Sequence, residues 1–154
     1  MQRFTILFLF LIAGRWTTGT CQNNALVFQS DFGVKDGAVA AMKGVAYSVS
    51  HDLRIFDITH EIPVYNIWEA AYRLYQTVPY WPARTVFVSV VDPGVGSARR
   101  SVVLKTKSGH YVVTPDNGTL SLIAESLGID QVREIDEVKH RLKNSELSYT
   151  FHGR

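Results

Sequence analysis

The chain has 154 residues, of which 46% are apolar and 19% charged, so one domain with a single hydrophobic core is the default expectation. The glycine, proline and cysteine contents exclude a collagen-like, disordered or disulfide-stapled chain. The net charge of +2 comes from Arg3 and Arg15, because the first twenty residues hold no acid and the remainder holds 14 basic and 14 acidic residues. This balance excludes the basic footprint of a nucleic-acid-binding protein.

The first residues have the pattern of an export signal. A basic start at Arg3 precedes an apolar run from Phe4 to Ala13, and small residues follow before Cys21. The run is too short for a membrane span, which takes about 20 apolar residues. We predict a secretory signal over residues 1–21 and an exported protein, periplasmic or extracellular, against the alternative of a buried first strand. The single cysteine, Cys21, leaves a lipid anchor open as the one expected membrane contact.

Beyond this segment, short apolar runs typical of strands alternate with stretches of helical period. In the first such helix, Val39, Met42, Val45, Ala46 and Val49 recur at spacings of three and four residues. This alternation predicts an α/β fold, a three-layer sandwich with a largely parallel central sheet. The predicted strands are 25–29, 54–58, 85–91, 101–106, 110–114 and 131–135, and the predicted helices are 37–50, 66–78 and 119–127.

Polar loops follow several of the predicted strands. Because ligands bind at the carboxyl ends of strands in open α/β sheets, we expect these loops to form one shared site. Each loop also has a purely structural interpretation. Asp31 or Asp36 caps the first helix, and Asp92 and Asn117 lie in sequences that favour tight turns. The loops are Ser30-Asp31-Phe32-Gly33, Asp57-Ile58-Thr59-His60-Glu61, Asp92-Pro93-Gly94-Val95-Gly96 and Pro115-Asp116-Asn117-Gly118.

Metal and phosphate sites receive little support from the sequence. Asp31, Asp57, His60 and Asp92 are hard ligands that could converge, but the chain has no His-Glu-x-x-His pair and no paired cysteines. No glycine-rich loop ends in Gly-Lys-Ser or Gly-Lys-Thr. We therefore predict no metal and no bound cofactor. Three further histidines lie in polar stretches and are interpreted as surface residues: His51, His110 and His140.

The motifs, taken in order from about Asn24 to the last residue, resemble the S-adenosylmethionine hydroxide adenosyltransferases. These are S-adenosylmethionine hydrolases related to the fluorinating and chlorinating enzymes. The resemblance implies attack of water or hydroxide on C5′ of the ribose, which gives adenosine and L-methionine from a small-molecule substrate. It is carried by the loops quoted above together with Met42-Lys43-Gly44, Ile62-Pro63, the strand Thr85 to Val91, Arg99-Arg100 and Thr150-Phe151-His152-Gly153-Arg154.

The resemblance also implies roles for particular residues. Asp92, Arg99 and His152 match the residues that gather around the attacking water, and either Asp92 or His152 is the base. The halogen-using relatives carry a Tyr at the position of Asp92 and a Tyr-Ser pair in place of His152 and Gly153. For substrate binding, the matching residues are Asp31 on the ribose hydroxyls, Tyr65 at the aromatic position beside the ribose, and Asn117 near the ribose.

The chain departs from this family in two ways. Family members carry a second, β-barrel-like domain after the Phe151-His152-Gly153 segment, and this domain supplies much of the contact with adenine and methionine across the interface of a homotrimer. This sequence stops at Arg154. We therefore expect residues 22–154 to be an N-terminal domain truncated at its C-terminal end. An export signal is the second departure, since S-adenosylmethionine is a cytosolic metabolite. Three functions follow as hypotheses: the hydrolase, a halide-using adenosyl transferase, and a non-catalytic remnant that binds S-adenosylmethionine or adenosine.

Overall fold

The computed structural model describes residues 23–142, so the predicted signal segment, Cys21 and His152 lie outside the described residues. None of the helices within this range has the length and hydropathy of a membrane span. The elements, in chain order, are β1 (Ala25–Ser30), α1 (Ala38–Val49), β2 (Arg54–Thr59), α2 (Ile67–Thr77), β3 (Val86–Val90), β4 (Ser101–Thr106), β5 (Tyr111–Pro115), α3 (Ser121–Leu127), β6 (Ile129–Glu134) and α4 (Glu137–His140).

The described strands form one sheet in the order β2-β1-β3-β5-β4-β6. The first four strands in this order are parallel to their neighbours. β4 pairs antiparallel with both β5 and β6. The predicted hairpin is therefore present, and it adds an antiparallel margin to a largely parallel sheet.

Helices cover both faces of the sheet, which confirms the three-layer α/β prediction. Side chains alternate between faces along a strand, so neighbouring residues of β1 enter different core clusters. Val27 packs with Leu74 of α2, Phe87 of β3 and Ile123 of α3 on one face. Phe28 packs with Met42 of α1 on the other face. A central strand that is apolar in sequence is thus buried from both sides.

Several element boundaries differ from the predictions, and for two helices a side-chain hydrogen bond explains the difference. Helix α2 starts at Ile67, because the Asn66 side chain caps it by accepting from the Glu69 amide at 2.9 Å. Helix α3 starts two residues later than predicted, since Thr119 is held by Asn117 in a turn. Strand β6 starts two residues earlier than predicted, at Ile129. The short helix α4 was not predicted.

Candidate active site at the carboxyl ends of β1 and β3

The candidate site lies where the chain leaves two neighbouring parallel strands in opposite directions. β1 and β3 are paired up to Ser30 and Val90. From β1 the chain continues to β2 on one side, and from β3 it continues to β4 on the other. Such a point opens a crevice at the carboxyl ends of the strands. Asp31 follows β1 directly, and Asp92 comes two residues after β3, so the sheet brings these two predicted site residues to one edge.

Asp92 and Arg99 form an ion pair at this edge. Nη1 of Arg99 donates to Oδ1 of Asp92, and the Gly94 amide donates to the same oxygen at 2.9 Å. The side chains are 16% and 29% exposed, respectively, so the pair is only partly screened by water. Within residues 23–142, Oδ2 of Asp92 accepts no hydrogen bond. The turn role of Asp92 and its predicted chemical role are therefore compatible, because they would use different oxygens.

Gly94 is a site residue that the sequence analysis assigned only to a turn. A Cβ built on Gly94 lies 2.5 to 2.7 Å from three guanidinium atoms of Arg99. Real side chains do not approach so closely, so the guanidinium rests against the backbone in a space that only glycine leaves free. The sequence shows only that Arg99 follows Asp92 by seven residues. That spacing does not show that Arg99 packs over the turn at Gly94.

Asp31 lies against Tyr65. Oδ2 of Asp31 accepts from the Tyr65 amide at 2.8 Å. Tyr65 has a φ of 63°, a left-handed conformation that a bulky residue rarely adopts, and its ring is exposed. Such strain is common at binding sites. The open question of the helix cap is also settled, since Asp36 rather than Asp31 accepts from the Ala38 amide at the start of α1, at 2.8 Å.

The Asn117 side chain ties its loop to β3. Its Nδ2 donates to the Val91 carbonyl at 2.8 Å, and its Oδ1 accepts from the amide and the hydroxyl of Thr119 at 3.1 and 2.7 Å. Gly118 completes the turn with a φ of 99°. The predicted turn interpretation of Asn117 is thus correct. Within residues 23–142, the second hydrogen of its side-chain amide makes no bond and could serve the predicted contact with a ribose.

A second polar group lies beneath the Asp31 loop. His60 is buried, and its Nδ1 lies 2.7 Å from Oγ of Ser30. Its Nε2 lies 3.1 Å from Oδ1 of Asp57, whose Oδ2 accepts from Lys43 at 2.5 Å. Burial tends to raise the pKa of Asp57, but the bonds from Lys43 and His60 outweigh it and hold this pKa below its ordinary value.

The four residues considered as metal ligands do not form a metal site in the described part of the chain. Asp57 contacts His60 and Lys43, and His60 also contacts Ser30. Asp31 instead accepts from the Tyr65 amide, and Asp92 accepts from the Gly94 amide and from Arg99. No group of three or more His, Cys, Asp or Glu side chains within residues 23–142 is arranged to hold a metal ion.

The interpretation of His110 as a surface residue was wrong. Its ring is buried, with Nε2 2.8 Å from the Trp81 carbonyl and Nδ1 3.0 Å from the Ser108 hydroxyl. These contacts fasten the hairpin to the end of the segment after α2. These contacts give His110 a structural role.

Arg99 also borders a cleft of about 580 Å³ that residues 97–101 and 134–138 line. This cleft contains none of the predicted substrate-binding residues, which are Asp31, Tyr65 and Asn117. The candidate site is therefore defined by the β1 and β3 loops, and the cleft meets it only at the guanidinium of Arg99.

Comparison with known proteins places these loops in one family. Residues 26–154 match the family described as SAM hydroxide adenosyltransferase N-terminal domain. The chain is 44% identical over 133 residues to the (R)-S-adenosyl-L-methionine hydrolase of Methanocaldococcus jannaschii, covering 84% of this chain and 48% of that protein. A fluorinase from an Actinoplanes species is more distant, at 27% identity over 86% of this chain and 51% of its own length.

A solved structure shares this fold. The crystal structure of an uncharacterized conserved protein from Thermotoga maritima superposes with a TM-score of 0.79 at 40% identity, over 84% of this chain and 49% of the other. The chain thus spans about half the length of the relatives it matches. With the family match running through both candidate loops, the chain belongs to the S-adenosylmethionine hydroxide adenosyltransferase family, in the part that forms its N-terminal domain.

Proposed function

We propose that this chain hydrolyses S-adenosylmethionine to adenosine and L-methionine, by attack of water or hydroxide on C5′ of the ribose. The observation that carries this proposal is the Asp92–Arg99 pair at the carboxyl end of β3, next to the Asp31 loop at the end of β1. Support comes from the relatives that share 40–44% identity with it and are named (R)-S-adenosyl-L-methionine hydrolases.

The chemistry asks the protein for positioning rather than for strong acid catalysis. The sulfonium leaves as a neutral thioether, so the leaving group needs no proton. The new bond forms between the water oxygen and C5′ as the bond between C5′ and sulfur breaks, and the water proton passes to a base. Asp92 can accept it or orient the water through Oδ2, and Arg99 stabilises the developing hydroxide by its fixed charge. His152 remains the second candidate for the base.

Asp31 is suited to the two hydroxyls of a ribose. A carboxylate accepts up to about four hydrogen bonds, so the bond from the Tyr65 amide leaves room for both hydroxyls. The exposed Tyr65 ring is free to lie against the sugar. Asn117 contributes its remaining amide hydrogen at the third loop. The proposed substrate residues are thus spread over the loops after β1, β2 and β5.

The carboxylate of Asp92 argues against a halide as the nucleophile, because like charges repel in a site that is partly shielded from water. The relatives named fluorinases are also less similar to this chain than those named hydrolases, at 27% against 44% identity for the two compared above. A halide-using transferase is therefore an outcome of the test rather than a second proposal.

The test is a chromatographic product profile after incubation of the chain without residues 1–21 with S-adenosylmethionine. Both epimers at sulfur are supplied, since the relatives are named for the (R) form, and chloride is present or absent. We expect adenosine and methionine in equal amounts, independent of chloride. A halogenated nucleoside would establish the transferase instead. Binding by calorimetry without any product would mean either a non-catalytic remnant or a hydrolase that needs its second domain, and the same assay on a chain extended past Arg154 would separate the two.

The matched variants are Asp92→Asn and Asp130→Asn. The first removes the charge at the proposed base, and we expect about a 100-fold loss of turnover or more. The second makes the same change in an exposed pair with Lys105 at 2.6 Å, and we expect unchanged turnover. Equal turnover in Asp92→Asn and wild type would contradict the assigned role of Asp92.

Export and assembly are further parts of the proposal. We propose that residues 1–21 direct export, with Cys21 as the position of a lipid anchor if one is attached. Mass spectrometry of the mature protein tests this, because an intact Met1 start in the cell envelope or medium would contradict removal of the signal. A homotrimer is expected for the form with a second domain, and light scattering of that form measures it.

A further inference from the structure

His60 holds the Asp31 loop at both ends. Its ring lies 2.7 Å from the Ser30 hydroxyl, at the residue before Asp31. Its main-chain carbonyl accepts from the Gly33 amide at 2.7 Å, two residues after Asp31. The predicted ribose-binding carboxylate is therefore carried by a short loop whose two ends are fastened to the same residue.

The contacts around His60 also define its hydrogen-bonding state. The Ser30 hydroxyl oxygen accepts from the Phe32 amide at 3.3 Å, so its own proton is available to donate to Nδ1. Nε2 faces Oδ1 of Asp57 at 3.1 Å. Lys43 on α1 holds the other oxygen of Asp57. The ring orientation is thus set by a chain of contacts that runs from the helix surface to the end of β1.

This order of Ser, His and Asp is the one found in nucleophilic hydrolases, but access decides against that function. Ser30 has no exposed surface, and His60 is 4% exposed. A hydroxyl that no substrate can reach cannot attack one. The same burial suits a positioning role, because packing on all sides and the contact with Ser30 restrict the ring of His60 to one orientation.

A β-bulge places His60 where these contacts are made. Phe28 pairs with Asp57, whereas the next residue, Gln29, pairs with Thr59, so Ile58 is the extra residue of β2. Without the bulge, Ser30 would lie beside Thr59, and His60 would be one position further along. Bulges next to active sites re-aim side chains in this way.

We propose that His60 is a positioning residue for substrate binding: by holding Ser30 with its ring and Gly33 with its carbonyl, it keeps the Asp31 carboxylate in the orientation that receives the two ribose hydroxyls. The inference rests on the proposed function, because Asp31 is the ribose-binding residue there. His60 touches neither the substrate nor the attacking water and acts through Asp31 alone.

Ser30→Ala tests the contact with the smallest change, since it removes one oxygen and leaves the ring of His60 in place. We expect KM for S-adenosylmethionine to rise about tenfold, which corresponds to about 1.4 kcal/mol, with kcat within about twofold of wild type. A residue that merely supports the fold would lower kcat through a smaller active fraction and leave KM unchanged. Ser48→Ala is the matched control, because the Ser48 hydroxyl is also bonded, to the Val45 carbonyl at 2.7 Å, on the exposed side of α1.

His60→Asn and His60→Leu test the ring itself. The Asn side chain can place an amide oxygen near the position of Nδ1 and accept from Ser30, so we expect the KM of His60→Asn to lie close to the wild-type value. The Leu side chain cannot, and we expect its KM to rise as in Ser30→Ala. Both keep the main-chain bond to Gly33, so any difference between them reports on the ring contact.

The decisive comparison is made in an Asp31→Ala background. If His60 acts through Asp31, Ser30→Ala adds no further loss of S-adenosylmethionine affinity there, measured as Kd by calorimetry. An equal loss in both backgrounds, or a fall in kcat at unchanged KM, would overturn the proposal. Hydrogen exchange of the Tyr65 amide, which Asp31 holds, gives a readout without activity. Faster exchange of this amide in Ser30→Ala than in wild type would support the positioning role of His60, even if the wild-type protein showed no turnover. In that case only the proposed function would fail.

Discussion

Substituting Gly94 tests whether Arg99 must rest on the turn after β3 in order to act. In Gly94→Ala the new Cβ meets the guanidinium at 2.5 to 2.7 Å, and ordinary contact begins near 3.4 Å, so the group must retreat by about 1 Å. That retreat moves Nη1 away from Oδ1 of Asp92, so we expect the bond between them to weaken or be lost. A hydrogen bond to a charged group contributes about 1.5–3 kcal/mol. If the bond serves the transition state, its loss lowers kcat by about 10- to 150-fold.

The assay is the initial rate of adenosine formation, measured together with a urea denaturation curve for each variant. Gly44→Ala is the matched control, because nothing lies within 4 Å of a Cβ built at Gly44 and the residue is in the middle of α1. There we expect wild-type kcat and a stability gain of about 0.5–1 kcal/mol, since alanine favours a helix over glycine. A kcat for Gly94→Ala equal to that of wild type would refute the reasoning.

Two further predictions concern stability. Leu74→Ala, in the fully buried core of α2, is expected to lower the free energy of unfolding by about 2–5 kcal/mol, and a urea-measured loss below about 1 kcal/mol would contradict the assigned packing. Asp57 has a lowered pKa in the fold, so its contribution to stability is present above its unfolded pKa and is lost as pH falls through the lower folded pKa. In Lys43→Met the folded pKa moves toward its ordinary value, so unfolding curves at pH values below about 5 should show a smaller acid-induced loss of stability, complete at a higher pH than in wild type.

The fold could be predicted because its signals are local and periodic. The run around β3 is apolar because this strand is buried on both faces. The apolar residues of α1 recur at spacings of three and four because only one face of this helix is buried. What periodicity missed was set by side-chain bonds across the sequence. The start of α3 depends on Asn117, and the burial of His110 depends on a carbonyl 29 residues away, at Trp81. Such partners cannot be read from spacing.

The candidate site divides in the same way. That Asp31 and Asp92 would share one edge of the sheet could be predicted, because both follow strands that the α/β pattern makes parallel. The supporting residues could not be predicted in their actual roles. His60 was placed in a loop of the shared site, but the only role weighed for its side chain was that of a metal ligand. Its actual position beside Ser30 depends on a bulge at Ile58 that shifts the register by one residue. Gly94 was considered only as a turn residue, although its hydrogen faces Arg99.

Within residues 23–142, each carboxylate of the site accepts hydrogen bonds through one oxygen and none through the other. Oδ1 of Asp92 takes the Gly94 amide and Arg99, while Oδ2 of Asp31 takes the Tyr65 amide. In the proposed reaction a sugar must be gripped at one carboxylate while water is aligned at the other, and displacement at C5′ tolerates little error in the angle between them. Each carboxylate follows one of two adjacent parallel strands and is bonded to a backbone amide of a loop, so the sheet helps to fix that separation. Because the fixed oxygens are already bonded, the substrate and the water meet acceptors whose directions are set before either one arrives.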